Sequence, residues 1–298
     1  MSDCVVRRSL AALVVVLALC VTAGAQTAHP TFDVKVTGRG PGIILIPGLL
    51  SAGEVWDTTV ERYKDRYTLH VLTLAGFGGP SPVGAPFLSR VRDEVIQYVR
   101  EQKIQKPVII GHSLGGFLAF WIGATAPDLV GGIVAVDGVP FLPALANASA
   151  SVESTKGQAD QIKAIYASLS KEQLVAQSRM GLAAMITAPA DLERALAWVG
   201  KSDGATTGLA VVELMATDLR ENVAAITVPT LLIGALGGAP EPMRPTMAKS
   251  YAAQVSRVKT VRVVMAEKAR HFIMFDDPSF LFSTLDEFLA SYRPSAKN

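Results

Sequence analysis

The chain has 298 residues, 50% of them apolar and 18% charged, with a formal net charge of +2. That composition suits one well-cored globular unit and excludes a disordered or collagen-like chain. No dense run of Lys and Arg occurs, which argues against a nucleic-acid partner or an anionic membrane surface.

At the N-terminus, Arg7 and Arg8 precede an apolar run from Leu10 to Val21, and Ala23, Gly24 and Ala25 follow before Gln26. Charged, apolar and small residues in that order predict a secretory signal over residues 1–25, cleaved after Ala25. The run is about a dozen residues long, short of the roughly 20 that a spanning helix needs. The mature protein is therefore expected to be secreted or periplasmic, with no stable membrane span. Cys4 and Cys20 both fall in this leader, so the mature chain carries no thiol for a disulfide, a cysteine nucleophile or a zinc cluster.

Further along, short apolar runs alternate with longer amphipathic stretches. Strands are predicted over 31–37, 43–46, 68–72, 108–110, 133–136, 230–233 and 261–265, and helices over 88–102, 114–125, 243–254 and 278–291. Runs such as 43–46 and 108–110 are apolar throughout, as strands buried on both faces must be. The fold class is α/β, a mostly parallel sheet flanked by helices.

One block breaks the rhythm. Residues 140–222 offer no strand, only Ala-rich helical segments at 161–169, 171–180, 190–199 and 208–219. Its roughly 80 residues far exceed one crossover connection, so it reads as a helical cap inserted into the sheet. The core is then divided into an N-terminal part, 26–139, and a C-terminal part, 223–298.

The segment Pro107-Val108-Ile109-Ile110-Gly111-His112-Ser113-Leu114-Gly115-Gly116 places an apolar strand before G-x-S-x-G and a helical pattern after it. A strand-to-helix turn that tight needs minute flanking residues, and it holds the serine hydroxyl at a helix N-terminus, where negative charge is favoured. A serine hydroxyl becomes an effective nucleophile only when a neighbouring imidazole takes its proton. The chain has four histidines, His29, His70, His112 and His271, and only His271 follows Ser113.

On these residues the sequence resembles the α/β-hydrolase superfamily from about residue 33 to 292. The resemblance implies an α/β-hydrolase fold with the cap between the sixth and seventh strands, and triad members in the order nucleophile, acid, histidine. His271, in the loop before the last helix, falls where the family carries its base. The family's usual acid position falls at about Gly238, which has no carboxylate. Asp137, closing the strand 133–136, is the favoured replacement, because some members carry the acid there and neighbouring parallel strands end on one rim. Glu241 is the alternative.

The resemblance also implies an oxyanion hole made by the backbone amides of Leu114, after the nucleophile, and Leu49, in the loop Pro47-Gly48-Leu49. Phe141, Leu142, Met180, Met185 and Trp198 of the cap are expected either to line an apolar acyl pocket or to form cap core. The implied activity is that of a serine hydrolase cleaving carboxylic ester bonds of a small-molecule substrate through an acyl-enzyme, with no metal or organic cofactor. A lactonase or amidase on the same residues, or a non-catalytic ligand-binding relative, is the alternative.

Overall fold

The apolar runs assemble into one seven-stranded sheet in the order β1-β3-β2-β4-β5-β6-β7. A computed structural model describes residues 29–292; the predicted signal, 1–25, lies outside the described residues. The strands are β1 (Phe32–Gly38), β2 (Gly42–Ile46), β3 (Thr68–Leu74), β4 (Val108–His112), β5 (Gly132–Val136), β6 (Thr230–Ala235) and β7 (Val261–Ala266). β1 pairs antiparallel with β3 at one edge, and the other pairings are parallel. Every residue of β2, β4, β5 and β6 is buried, as strands covered on both faces require.

The helices are α1 (Asp57–Tyr63), α2 (Leu88–Glu101), α3 (Leu114–Thr125), α4 (Pro143–Ala146), α5 (Val152–Ser168), α6 (Lys171–Met185), α7 (Pro189–Val199), α8 (Gly204–Ala216), α9 (Arg244–Gln254), α10 (Ile273–Asp276) and α11 (Pro278–Ser291). Alternate strand residues feed two core layers. Ile44, Ile46, Ile109 and Ile133 pack with α2 and α3 on one face, whereas Ile43, Leu45, Ile110 and Val134 pack with α11 on the other.

Helices α4 to α8 lie between β5 and β6, the fifth and sixth strands of the described chain. The sequence reading places the insertion between a sixth and a seventh strand; among the described residues five strands precede it and two follow it. The α5 and α6 boundaries also differ from the sequence reading. α5 begins nine residues earlier than 161, at Val152, because Ser151 and Ser154 close a reciprocal capping box. α6 runs to Met185 from a second box between Ser170 and Gln173.

The block is tied to the sheet from its far end. Glu213 of α8 accepts hydrogen bonds from the Phe87 and Leu88 amides at 2.8 and 2.6 Å, satisfying the free donors at the α2 N-terminus. The Asp203 amide donates to Gly76 O at 2.8 Å. Among the described residues, no helix is long and apolar enough to cross a membrane.

The strand order dictates where a site can form. From β2 the chain moves outward to β3, whereas β4 lies on the other side of β2 and leads on to β5. The loops after β2 and β4 therefore diverge, leaving a crevice at the carboxyl ends of the strands. Leu49 follows β2 there, Ser113 follows β4, and Asp137 follows β5.

Candidate active site

Ser113 is the hinge between β4 and α3, with φ 52° and ψ −115°. A side chain rarely occupies that region unless its surroundings impose it. The imposed turn needs glycine on both sides: a Cβ on Gly111 would sit 2.0 Å from Gly115 O, and one on Gly115 would sit 2.2 Å from Ile46 O. The Ser113 amide donates to Val136 O at 2.9 Å, locking the turn to the end of β5. The hydroxyl thus stands at the start of a twelve-residue helix, of which nine residues are buried.

The loop after β2 lies against this turn. A Cβ on Gly48 would approach Ser113 Cβ to 3.1 Å, so the chain 47–49 passes beside Ser113 only because Gly48 has no side chain. Leu114 opens α3, where backbone amides lack intrahelical partners. The structure thereby sets Gly48, the residue before Leu49, against Ser113, and Leu114 directly after it in the chain.

Asp137 extends from β5 with φ 51°, a left-handed conformation that Asp tolerates better than most residues. Its amide donates to Ile233 O at 2.7 Å, and its carboxylate is 7% exposed. Oδ2 accepts the Nδ1–H of His271 at 2.6 Å. Oδ1 accepts from the Ala235 amide at 2.8 Å and from the Tyr251 hydroxyl at 2.6 Å. The carboxylate fixes His271 in the tautomer whose Nε2 carries the lone pair. Of the two carboxylates considered, Asp137 reaches His271, whereas Glu241 is exposed in the turn before α9.

His271 is held on its other side by the residue before Ser113. His112 is fully buried, and its Nε2–H donates to the His271 carbonyl at 3.1 Å. Their rings lie 4.6 Å apart. Burial, reinforced by His271, holds His112 well below the usual histidine range, so it stays neutral. No hydrogen bond joins Ser113 Oγ to His271 in the described structure; such contacts commonly tighten only around substrate.

The loop bearing His271 is also stitched to the end of α6. Arg270 Nη1 donates to Ala183 O at 2.9 Å, and the Phe272 amide to Met185 O at 3.3 Å. Asp276 accepts from the Arg270 amide, the Thr187 amide and the Thr187 hydroxyl, each at 2.9 Å.

A cavity of about 320 Å³ opens beside Asp137 and His271, walled by Met185, Gly238, Pro240 and Met247 among others. Phe141, Leu142, Met180 and Trp198 are not among the residues that line it; of the two readings of these residues, pocket or cap core, this cavity draws on none of the four. Phe141 is sealed beneath Arg220, 4.8 Å from its ring centroid, with its backbone bonded by Gln254. Trp198 is core, whereas Leu142 and Met180 are 44% and 81% exposed. Met185 does line the cavity. Among the described residues, no group of three His, Cys, Asp or Glu side chains could hold a metal.

Residues 43–284 match the alpha/beta hydrolase family. The chain belongs to that family. One relative, the pimeloyl-(acyl-carrier protein) methyl ester esterase of Aliivibrio salmonicida, is 28% identical over 217 residues, covering 68% of this chain and 77% of that protein. An esterase of the same name from Vibrio campbellii is 35% identical over 103 residues, 35% of this chain and 39% of that protein. In structure, this alpha/beta hydrolase is similar to a hydrolase from Pseudomonas aeruginosa PA01, with a TM-score of 0.72 and 19% identity over 87% of this chain and 94% of that one. The last likeness concerns the fold.

His112 and Tyr251 are the site neighbours that sequence reasoning passed over. His112 carried a signal in its place beside Ser113. Tyr251 carried none, since nothing in its spacing links α9 to the end of β5.

Proposed function

We propose that this alpha/beta hydrolase cleaves carboxylic esters of small molecules by acyl transfer through Ser113. The observation that carries the reading is the 2.6 Å hydrogen bond from His271 Nδ1 to Asp137, made beside a serine held in a strained elbow. His271 Nε2 removes the Ser113 proton as Oγ attacks the carbonyl carbon. The Leu49 and Leu114 amides hold the resulting oxyanion. Collapse expels the alcohol, which takes the proton from His271; water, deprotonated by the same imidazole, then releases the acid. Ester rather than another acyl bond is favoured by the relatives named for methyl ester cleavage.

A fluorophosphonate probe and p-nitrophenyl esters of short and medium chain test this reading. Wild type is expected to label and turn over, and Ser113→Ala to do neither, with a loss of at least about 10³-fold in kcat. Equal labelling of wild type and Ser113→Ala would place the nucleophile elsewhere. The proposal extends to export: residues 1–25 direct secretion, and mature protein from a periplasmic or culture fraction is expected to begin at Gln26. Recovery from the cytosol with residue 1 or 2 at its N-terminus removes that part of it.

A further inference from the structure

We propose that Tyr251 is a positioning residue that holds the acid of this site at the end of β5 and sets the basicity of His271 through it. The inference rests on the reading of Asp137 and His271 as acid and base.

Asp137 stands one strand away from the family's usual acid position, where Gly238 is found, so its carboxylate needs its own support. That support is asymmetric. Oδ2 serves His271 alone, whereas Oδ1 takes two donors, the Ala235 amide at 2.8 Å and the Tyr251 hydroxyl at 2.6 Å. The amide comes from the neighbouring strand and is fixed by the sheet. The phenol comes from α9, on the connection after β6, and is 4% exposed.

Gly234 of β6 makes room for it: a Cβ there would lie 3.0 Å from two ring carbons of Tyr251. The ring therefore lies against the strand end, with its hydroxyl at the carboxylate. Burial, and next the Asp137 charge, push Tyr251 ionisation far above its ordinary range, so the hydroxyl remains a donor throughout neutral pH.

A donor on Oδ1 draws charge away from Oδ2. The carboxylate that faces His271 is then a weaker acceptor, and the imidazolium formed in the reaction is less stabilised than it is by a bare aspartate. Removing the phenol hydroxyl frees the carboxylate to hold the imidazolium more tightly and to turn about its Cβ–Cγ bond.

The test is the pH profile of kcat/KM for a p-nitrophenyl ester with wild type, Tyr251→Phe and Asp137→Asn. Tyr251→Phe is expected to move the acidic limb upward by about half a pH unit or more, and to lower kcat about tenfold with KM little changed. Should Tyr251→Phe fold poorly, 3,5-difluorotyrosine at 251 keeps the shape with a stronger donor and is expected to move the limb downward. If Asp137→Asn abolishes turnover while the limb is unmoved by both changes at 251, Tyr251 is only a packing residue and the inference falls. If Asp137→Asn leaves turnover intact, the assignment of the acid falls, and this inference with it.

Discussion

Helices α3 and α6 both border the site, and they are held in opposite ways. Nine of twelve residues of α3 are buried, whereas of the fifteen in α6 only Leu174 is. α3 is fixed by packing density, so the serine it carries sits in one geometry. α6 is fixed at its end by a few hydrogen bonds to the loop of His271. The site therefore has a rigid side, which carries Ser113, and a side whose cover hangs on polar contacts, which rearrange at much lower cost than a packed core.

Substitutions on the two sides should separate these modes. Phe117→Ala in α3 is expected to destabilise by about 3–5 kcal/mol, as large-to-small changes in full cores do, read from denaturant unfolding. Asp276→Ala strips two hydrogen bonds from Thr187, just beyond α6, and one within the loop of His271. It should cost about 1–3 kcal/mol and speed hydrogen exchange at residues 183–187 and 270–272, leaving α3 protected. Uniform exchange across both helices would mean that α6 is part of the rigid unit.

Acid should act on the buried side. His112 is neutral when folded, but in the unfolded chain it takes a proton below about pH 6.5. The unfolded state then binds more protons, so stability falls as pH drops through that value toward the depressed folded one. Between pH 7.5 and 5.5, wild type should lose about 1 kcal/mol more than His112→Asn. His70, also lowered by burial, contributes equally to both and cancels. Equal losses in the two proteins would remove His112 as the source. The smallest effect belongs to Met180→Ala: at 81% exposure it should change stability by no more than about 0.5 kcal/mol.

What the sequence disclosed follows the same division. Strands β2, β4, β5 and β6 are apolar at nearly every position because both faces are covered, and they were read within one or two residues. Helix α11 was read at its observed bounds, 278–291, since Pro278 and the apolar spacing mark it. α5 was read late because its first turns are polar and carry Gly157, so only the Ser151 cap announces it. Ser113 and His271 stand out in the sequence because a tight turn and a loop position constrain residue type. The cavity wall does not: Phe141 and Trp198 are apolar enough to line a pocket or fill a core, and packing, not spacing, decides which.

Gly238 gives the rim one further property. A Cβ there would meet nothing closer than Ala184 O at 3.8 Å and Arg270 Cγ at 3.9 Å, so the position accepts a side chain without strain. Asp137, after β5, and Gly238, after β6, both line the cavity beside His271, and in this chain the carboxylate stands after β5. An engineered chain could therefore carry acids at both positions, two carboxylates on the wall of one cavity, without a clash at the new Cβ.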